Sequence, residues 1–524
     1  MICRFSCIFV IHKRKNMKFV ETIQAGYTFE GAAIELGAGM FDGKIYPEAA
    51  VRIPLKTMNR HGLIAGATGS GKTKTLQILA EQLSSQGVPV VLMDIKGDLS
   101  GVAMAGKPNE KILARHEQIG IPFKPEGNSV EFYSLSGEKG ARLRATVTEF
   151  GPVLFSKILG LNDTQGGVIA VVFKYCDDKQ LPILDLKDLI KVLQYISNDA
   201  KDDFEATYGK TSSATIGTIM RKVVELQQQG ADLFFGERSF EVKDLCRLDE
   251  QGKGVISVVR LADIQDRPKL FSTFMLQLLA EIYSTFPERG DADQPELVFF
   301  IDEAHLIFQE ATPTLLQQVE TIIKLIRSKG IGIYFVTQNP ADIPESVLGQ
   351  LGLKIQHALR AFTAKDRKDI KLAAQNYPIT EFYDVENLLT QIGIGEAFVT
   401  VLNDKGIPSP LVYTMLRAPQ SRMDILTDSE LEAITSVSEM TKKYSEEIDR
   451  ESAYEILNKK IETATTETAT SEAEEKESNE PSVFEKVVNS PVARQVGRAV
   501  AREVTRGLLG ILGLGGGRKK GGWF

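Results

Sequence analysis

Residues 66–73 carry the pattern G-x-x-x-x-G-K-[ST], here Gly-Ala-Thr-Gly-Ser-Gly-Lys-Thr. Glycines let the backbone wrap closely around an anion and turn its N–H groups towards phosphate oxygens, and the following helix adds the positive end of its dipole. In this chemistry Lys72 reaches the β- and γ-phosphates of a nucleotide, and the hydroxyl of Thr73 holds Mg²⁺. The residues predicted to bind phosphate are Gly66, Ala67, Thr68, Gly69, Ser70, Gly71, Lys72, Thr73 and Thr75.

A pair of acidic residues, Asp302 and Glu303, directly follows the apolar run Leu297–Ile301. Open α/β sheets bind ligands at the carboxyl ends of their strands, so the pair is placed for chemistry. Asp302 suits Mg²⁺, often through water, and Glu303 suits the base that polarises an attacking water. With the phosphate-binding pattern upstream, the pair predicts hydrolysis with ATP and Mg²⁺ as cofactors. The ordinary alternative is a helix cap at a strand end, where Asp and Glu are common.

Two further polar clusters end predicted strands. Gln338, in Thr-Gln-Asn-Pro, is placed to contact the γ-phosphate and report its loss, or is simply part of a turn. Asp94-Ile-Lys-Gly-Asp98 either contacts the site or caps a turn. His305 has no metal-binding partner nearby in the sequence, so we expect a structural or coupling role.

The elements that must position these residues follow from the apolar pattern. Gly62–Ala65, an apolar helix from about 72 to 86 and the run 88–93 give the strand–loop–helix–strand order that opens a parallel α/β sheet. Ile331–Val336 predicts a second buried strand beside Leu297–Ile301, with a helix over 315–328 between them. Further strands are predicted at 34–36, 50–53, 130–134, 254–261, 354–359, 397–402 and 411–415.

Changes in composition predict the domain organisation of the chain. The tail is marked by arginines at every fourth position from Arg494 to Arg506 and by its glycines. The predicted segments are a mis-called leader at 1–16 with Met17 as the true start, a short N-terminal β segment at 17–56, the two parts of an ATPase core at 57–147 and 251–426, a helical insertion at 148–250, a charged helix and disordered low-complexity linker at 427–482, and a basic amphipathic tail at 483–524.

The overall composition is that of a globular protein. The chain has 524 residues, 43% apolar and 25% charged, with a net charge of −7. These values exclude a largely disordered or coiled-coil chain and a polycationic coat for nucleic acid, although a local basic surface stays open. The four cysteines have neither disulfide-framework nor zinc spacing, which favours a reducing, cytoplasmic location. No run of 18 apolar residues is present, so no transmembrane helix is predicted.

The motifs GATGSGKT, D-I-K-G-D, D-E-A-H and R-S-K-G-I-G-I-Y-F-V-T-Q together resemble the HerA/FtsK group of hexameric translocase ATPases. More closely, the chain resembles bacterial HerA-like helicases of the YjgR-like, domain-of-unknown-function branch, from about Met17 to Arg417. The resemblance implies an α/β, RecA-like P-loop core of the additional-strand class, in which another strand lies between the two nucleotide-binding strands. It also implies a homo-hexameric ring in which one subunit completes the site of the next.

The resemblance assigns roles to basic residues as well. Arg327 matches an arginine that acts in trans on the site of the neighbouring subunit, and Arg60 matches one that acts in cis. An arginine near the γ-phosphate stabilises charge in the transition state and can raise the rate by orders of magnitude. Arg327 as a solvated helix-end cation is the ordinary alternative, and Arg360 is a weaker candidate. Asp98 stands where HerA proteins carry a Glu.

The resemblance leaves the substrate of the motor open. The first hypothesis is DNA translocation or unwinding. The second is a remodelling or regulatory ATPase that acts on protein partners. The acidic net charge favours it slightly, and so does the short stretch before residue 66. In that stretch we expect no complete N-terminal barrel of the HerA type. A third assigns the work to the basic tail, which would contact an anionic membrane, DNA or a partner helix. The insertion is another possible partner-binding segment.

Overall fold

A computed structural model describes residues 2–135, 137–290, 292–309, 313–446, 448 and 450–463. The chain divides into two compact units, Met1–Ile456 and Leu457–Phe524, and the architecture below belongs to the first. Most of the predicted linker and the whole predicted basic tail lie outside the described residues. The domain boundaries given above therefore stay predictions.

A 12-stranded sheet forms the centre of the described part of the chain. Its order is β2-β1-β12-β11-β10-β3-β9-β8-β4-β7-β5-β6. The strands are β1 Ala33–Phe41, β2 Lys44–Pro54, β3 Gly62–Ala65, β4 Val90–Asp94, β5 Val130–Ser134, β6 Ala141–Arg142, β7 Ile256–Arg260, β8 Leu297–Ile301, β9 Ile331–Thr337, β10 Leu353–Gln356, β11 Glu396–Thr400 and β12 Val412–Leu416.

Helices precede, connect and follow the strands. They are α1 Ile2–Tyr27, α2 Lys72–Ser85, α3 Glu110–Ile119, α4 Val147–Ile158, α5 Asp163–Lys179, α6 Leu186–Ser197, α7 Lys201–Tyr208, α8 Ser213–Gln228, α9 Pro268–Thr285, α10 His305–Gln309, α11 Pro313–Ile326, α12 Glu345–Leu348, α13 Ala364–Gln375, α14 Val385–Leu388, α15 Asp428–Val437 and α16 Glu439–Ser445. In the part of the chain that the structure describes, no helix combines the length and apolar character needed to cross a bilayer.

The sheet is parallel from β10 to β6, and β11, β12, β1 and β2 continue it in antiparallel pairing. β9 lies between β3 and β8, which precede the glycine-rich loop and the acidic pair respectively. The predicted additional-strand, mostly parallel α/β sheet is therefore confirmed. β8 and β9 are buried along their whole length, as expected for strands covered on both faces.

Parallel pairing fixes where the chemistry lies. Because β3, β4, β8 and β9 run in the same direction, the residues that follow their last positions meet at one edge of the sheet. We call this the carboxyl edge. The glycine-rich loop, the turn after Asp94, the acidic pair and Gln338 all begin there.

The N-terminal segment differs from the prediction. We predicted strands and turns over 17–56, but α1 continues through Met17 to Tyr27, and strands begin only at Ala33. Phe19, Ile23 and Tyr27 recur at helical spacing and are all buried. The Phe19 ring stacks on Phe41 of β1 with 5.2 Å between centroids, so packing against the sheet favours the helix.

Five helices, α4–α8, follow one another between β6 and β7. Their starts are well defined by capping boxes at Thr146, Asn162 and Asp185, in which side chain and backbone satisfy each other's free hydrogen-bonding groups. α4 changes direction at Gly151, whose φ of 71° is non-helical, just before Pro152. This segment packs around its own apolar side chains, among them Phe155 and Phe173, whose ring centroids lie 6.3 Å apart.

Candidate active site

The glycine-rich loop leaves β3 and enters α2 through three glycines with positive φ. Gly66, Gly69 and Gly71 have φ of 154°, 76° and 113°. A Cβ at Gly66 would lie 2.5 Å from the Cβ of His357, so close packing as well as φ requires glycine there. The sequence therefore forms an open turn of backbone N–H groups at the start of a helix.

Neighbouring strands and the lysine of the motif hold this loop in place. Gly66 N donates to Thr337 O at 3.2 Å, and Ala67 N donates to Ala358 O at 2.7 Å. The Lys72 ammonium donates to Gly66 O at 2.6 Å and to Ala67 O at 3.2 Å. Burial, followed by the charge of Lys96, lowers the pKa of Lys72. Lys72 thus lies inside the curve of the loop, in the position from which a lysine of this motif meets phosphate.

Thr75 does not face the open side of the loop, and we correct the binding role that the sequence suggested. Its side chain is 1% exposed, and its hydroxyl lies 2.9 Å from Nε2 of His357. His357 follows β10 and packs beneath Gly66. The Thr75 hydroxyl therefore anchors α2 to the residue after β10, because the two residues from Thr73 to Thr75 rotate the side chain by roughly 200° around the helix.

Asp302 ends β8 in a buried position that suits a divalent cation. It is 1% exposed, and neither carboxylate oxygen accepts a hydrogen bond from any described side chain. Burial raises the pKa of Asp302 to about 6, and the charge of Lys96 opposes that rise. A buried carboxylate without a side-chain donor is costly unless another group satisfies it, and Mg²⁺ with its water ligands is such a group.

Glu303 is held in an unusual backbone conformation. Its φ is 47°, in the left-handed region that glutamate rarely adopts, and its side chain is nearly buried. Such conformations cost about 1–3 kcal/mol and concentrate at functional sites. The carboxylate of Glu303 is close enough to the phosphate loop for its charge to act on the pKa of Lys72.

Lys96 and His305 contact the carboxylate of Glu303. The Lys96 ammonium pairs with Oε1 and lies 3.9 Å from Oδ2 of Asp302. Nδ1 of His305 lies 3.1 Å from Oε2. Burial of the Lys96 ammonium opposes its charge, but the acidic neighbours outweigh burial and raise its pKa. The motif Asp94-Ile-Lys-Gly-Asp98 predicts a turn near the site, but the motif alone does not single out Lys96.

Asp94 builds the turn that carries Lys96. Its carboxylate accepts hydrogen bonds from the backbone N–H groups of Gly97, Asp98 and Leu99, at 2.8, 3.1 and 3.2 Å. Burial, with the charge of Asp98, raises the pKa of Asp94 to about 7. The sequence left two roles open for residues 94–98, contact with the site or capping of a turn. Asp94 caps the turn, and the same turn places Lys96 against the acidic pair.

Gln338 lies beside the phosphate loop, as the sequence predicted. A cavity of about 510 Å³ is lined by Ala67 and Thr68 of the loop, by Gln338 and Asn339 after β9, and by Arg360 after β10. Gln338 is exposed, so its amide is available to a ligand on the loop. The Arg360 guanidinium donates to Thr390 O at 3.4 Å.

Arg60 and Arg327 lie at the opposite edge of the sheet, which we call the amino edge. Arg60 precedes β3, whereas the phosphate loop follows it, and Arg327 follows α11 and precedes β9. Both line a cavity of about 570 Å³ together with His61, Lys324 and Lys354. The length of β3 therefore separates Arg60 from the loop of its own chain. The predicted role in cis does not fit this placement, which groups Arg60 with Arg327.

A family model described as Helicase HerA-like C-terminal matches residues 42–483. The DNA double-strand break repair helicase HerA of Sulfolobus acidocaldarius is 23% identical, with 67% of this chain and 64% of the relative covered. The protein of the same description from Saccharolobus solfataricus is 22% identical, with 72% and 68% covered. The chain thus spans just under two thirds of the first relative's length.

Among solved structures, plasmid coupling protein TrwB in complex with a non-hydrolysable ATP analogue aligns with a TM-score of 0.50 and 13% identity. The alignment covers 76% of this chain and 99% of that chain. At this identity the likeness concerns the fold, and it agrees with the predicted RecA-like P-loop core.

Proposed function

The chain belongs to the family of HerA-like C-terminal helicase domains, and on that premise we propose that it is a Mg²⁺-dependent P-loop ATPase that drives a ring motor on DNA. The single observation that carries the ATPase proposal is the meeting of Lys72, Asp302 and Glu303 at the carboxyl edge. The substrates proposed, ATP and DNA, are cytoplasmic, and we propose the same location for the protein.

Mg²⁺ fits the residues present. Asp302 offers two carboxylate oxygens without side-chain donors, and the Thr73 hydroxyl at the start of α2 would be the second protein ligand. The ion, when bound, supplies positive charge against the β- and γ-phosphates. Because the pKa of Asp302 is raised, this site favours a ligand whose charge keeps the carboxylate ionised.

The chain's own residues divide the remaining work. Backbone N–H groups of residues 66–73 and the Lys72 ammonium bind and orient the phosphates. Glu303 accepts a proton from the water that attacks the γ-phosphorus, and Gln338 contacts the γ-phosphate region. Release of Lys96 from the carboxylate of Glu303 would make that carboxylate a stronger base.

The arginines support a ring. A loop at the carboxyl edge and cations at the amino edge of the same chain suit a head-to-tail assembly, in which Arg327 of one subunit approaches the nucleotide of the next. We propose a homo-hexamer in which Arg60 joins Arg327 in trans. Transition-state charge would then meet Arg60 and Arg327 only at an assembled interface.

The experiment is a steady-state ATPase assay of the chain with and without single-stranded and duplex DNA, at low and moderate salt. We expect DNA to stimulate turnover, with binding that weakens steeply as salt rises. Lys72→Ala should abolish turnover, and Glu303→Gln should bind ATP but hydrolyse it at least about 100-fold more slowly.

The outcomes separate the two parts of the proposal. Undiminished hydrolysis by Glu303→Gln would contradict the role of Glu303 as base. An ATPase that is indifferent to DNA would keep the enzyme and remove the DNA motor, leaving remodelling of protein partners.

A further inference from the structure

The segment after β10 carries a dense cluster of exposed positive charge in an acidic protein. Five cations and one aromatic residue stand in 12 consecutive positions, and all six are exposed to solvent. We call them the α13 cationic face: Arg360, Phe362, Lys365, Arg367, Lys368 and Lys371. None of the five cations forms an ion pair with any residue that the structure describes.

The acidic residues of α13 are held by neighbouring groups, although both line the same cavity as Arg360 and Phe362. The Asp366 carboxylate accepts the backbone N–H groups of Phe362 and Thr363 at 2.8 and 2.7 Å, which caps the helix. Asp369 lies 3.5 Å from Nδ2 of Asn339. Both aspartates are therefore engaged locally, and the cations keep their charge towards solvent.

The helix geometry spaces the charges evenly. Lys365, Lys368 and Lys371 follow at three-residue steps, which advance about 4.5 Å each along the helix axis. Ile370 and Ala373 are buried on the opposite side and fix the orientation of the helix. A row of cations with no acidic partner suits a polyanion with regular spacing.

Phe362 adds a second kind of contact. Its side chain is 86% exposed, although a phenyl ring gains from burial. An exposed aromatic ring beside cations is the combination on which unpaired bases stack while lysines track the backbone. A duplex offers no free base face to such a ring, so this feature favours single strands.

We propose that the α13 cationic face binds single-stranded DNA, with its lysines on the phosphates and Phe362 stacked on a base. This proposal rests on the proposed DNA motor and assigns its DNA contact to a named surface. The face adjoins the nucleotide site, because Arg360 and Phe362 line the same 510 Å³ cavity as Thr68 and Gln338.

The test compares a triple charge reversal, Lys365→Glu with Lys368→Glu and Lys371→Glu, with a control of equal charge change. The control is Lys107→Glu with Lys111→Glu and Lys124→Glu, three lysines that are also exposed but lie on and around α3. Binding of a fluorescent oligo(dT) strand to the full chain is titrated across a range of salt concentrations, and ATPase rate without DNA serves as the check of folding.

We expect the α13 triple variant to lose about tenfold or more in affinity, and its slope of log affinity against log salt to fall by about 2, since each phosphate contact on a single strand contributes about 0.7. The control should lose much less affinity and keep its slope. Phe362→Ala should weaken single-strand binding by about fivefold or more and duplex binding little. Ile379→Ala removes an equally exposed apolar side chain and should change neither.

An α13 triple variant with parental affinity and salt slope would overturn this proposal alone. A parent chain that binds no DNA would overturn both this proposal and the proposed DNA motor. Loss of binding to phosphatidylserine vesicles with retained DNA affinity would assign the face to a membrane and overturn the proposal. Equal losses on single and duplex DNA for Phe362→Ala would overturn the stacking contact.

Discussion

At the scale of single residues, the carboxylate of Glu303 lies between Lys96, whose ammonium forms an ion pair with Oε1, and His305, whose Nδ1 lies 3.1 Å from Oε2. A cation against a carboxylate weakens it as a base, so release of Lys96 would make Glu303 a stronger base for the proposed reaction. The phosphates of a nucleotide compete for Lys96, because it lies at the edge of the sheet that carries the phosphate loop. We propose that Lys96 is a positioning residue that links nucleotide binding to the release of Glu303.

The contact between Lys96 and Glu303 should contribute a coupling energy to stability that can be measured without nucleotide. Lys96→Met should destabilise the chain by about 1–2 kcal/mol, because it leaves the acidic pair without its cation while solvent screens part of the loss. In the Glu303→Gln background the same change should cost clearly less. Chemical denaturation of the four proteins of the cycle gives the coupling, and Lys96→Arg is the control that keeps the charge. Additive effects would show that the contact carries no energy.

The sequence anticipated much of the site but not all of it. Fixed motif spacing placed Lys72, Asp302, Glu303 and Gln338, and the structure brings them to one edge. Spacing does not reveal which way a side chain points within a turn, so Lys96 went unnoticed. The motif predicts that Thr75 binds the nucleotide, although about half a turn of helix after Thr73 directs its hydroxyl to His357.

At the scale of elements, buried parallel strands were predictable because their apolar runs are continuous. β3, β5 and β8 have the predicted bounds. The start of the chain was less predictable, since the helical face of Phe19, Ile23 and Tyr27 becomes evident only against β1. The placement of Arg60 required the strand direction of β3, which a distance along the sequence does not give.

His61 joins two elements at the amino edge and makes stability depend on pH. Nδ1 accepts the backbone N–H of Ile333 in β9 at 3.1 Å, and Nε2 lies 2.8 Å from Ile323 O in α11. Burial lowers the pKa of His61 to about 4, and the charge of Arg327 acts in the same direction. The folded pKa lies below the unfolded value of about 6.5, so the stabilisation is present above that pH and lost as pH falls towards 4.

We therefore expect the parent chain to lose about 2–3 kcal/mol more stability than His61→Asn between pH 7 and pH 4.5. Asparagine tolerates the positive φ of 53° at this position and does not titrate. Raised carboxyl pKa values elsewhere, such as that of Asp94, act equally in both proteins and cancel in the difference. Denaturation midpoints at several pH values provide the measurement, and parallel curves would contradict the assignment.

At the scale of the whole molecule, the two sheet edges form complementary halves of a site in the ring that we propose. Mixing Arg327→Ala chains with Lys72→Ala chains should restore activity, because some interfaces then pair an intact loop with an intact arginine. With random assembly in equal amounts, about a quarter of the interfaces qualify, so we expect about a quarter of the parental rate. Chains with both substitutions, mixed with either single variant, should restore none. Absence of rescue in the first mixture would count against action in trans.

In the proposed ring, the separation of the phosphate loop from the arginines by the length of β3 makes activity depend on assembly. In a single subunit the loop and the arginines of the amino edge cannot form one site. An open row of subunits leaves one loop and one set of arginines without a partner at its ends. Only closure gives every subunit a complete site. In the proposed ring, dilution should therefore lower the ATPase rate per chain as interfaces are lost, while each chain stays folded and still able to hold nucleotide.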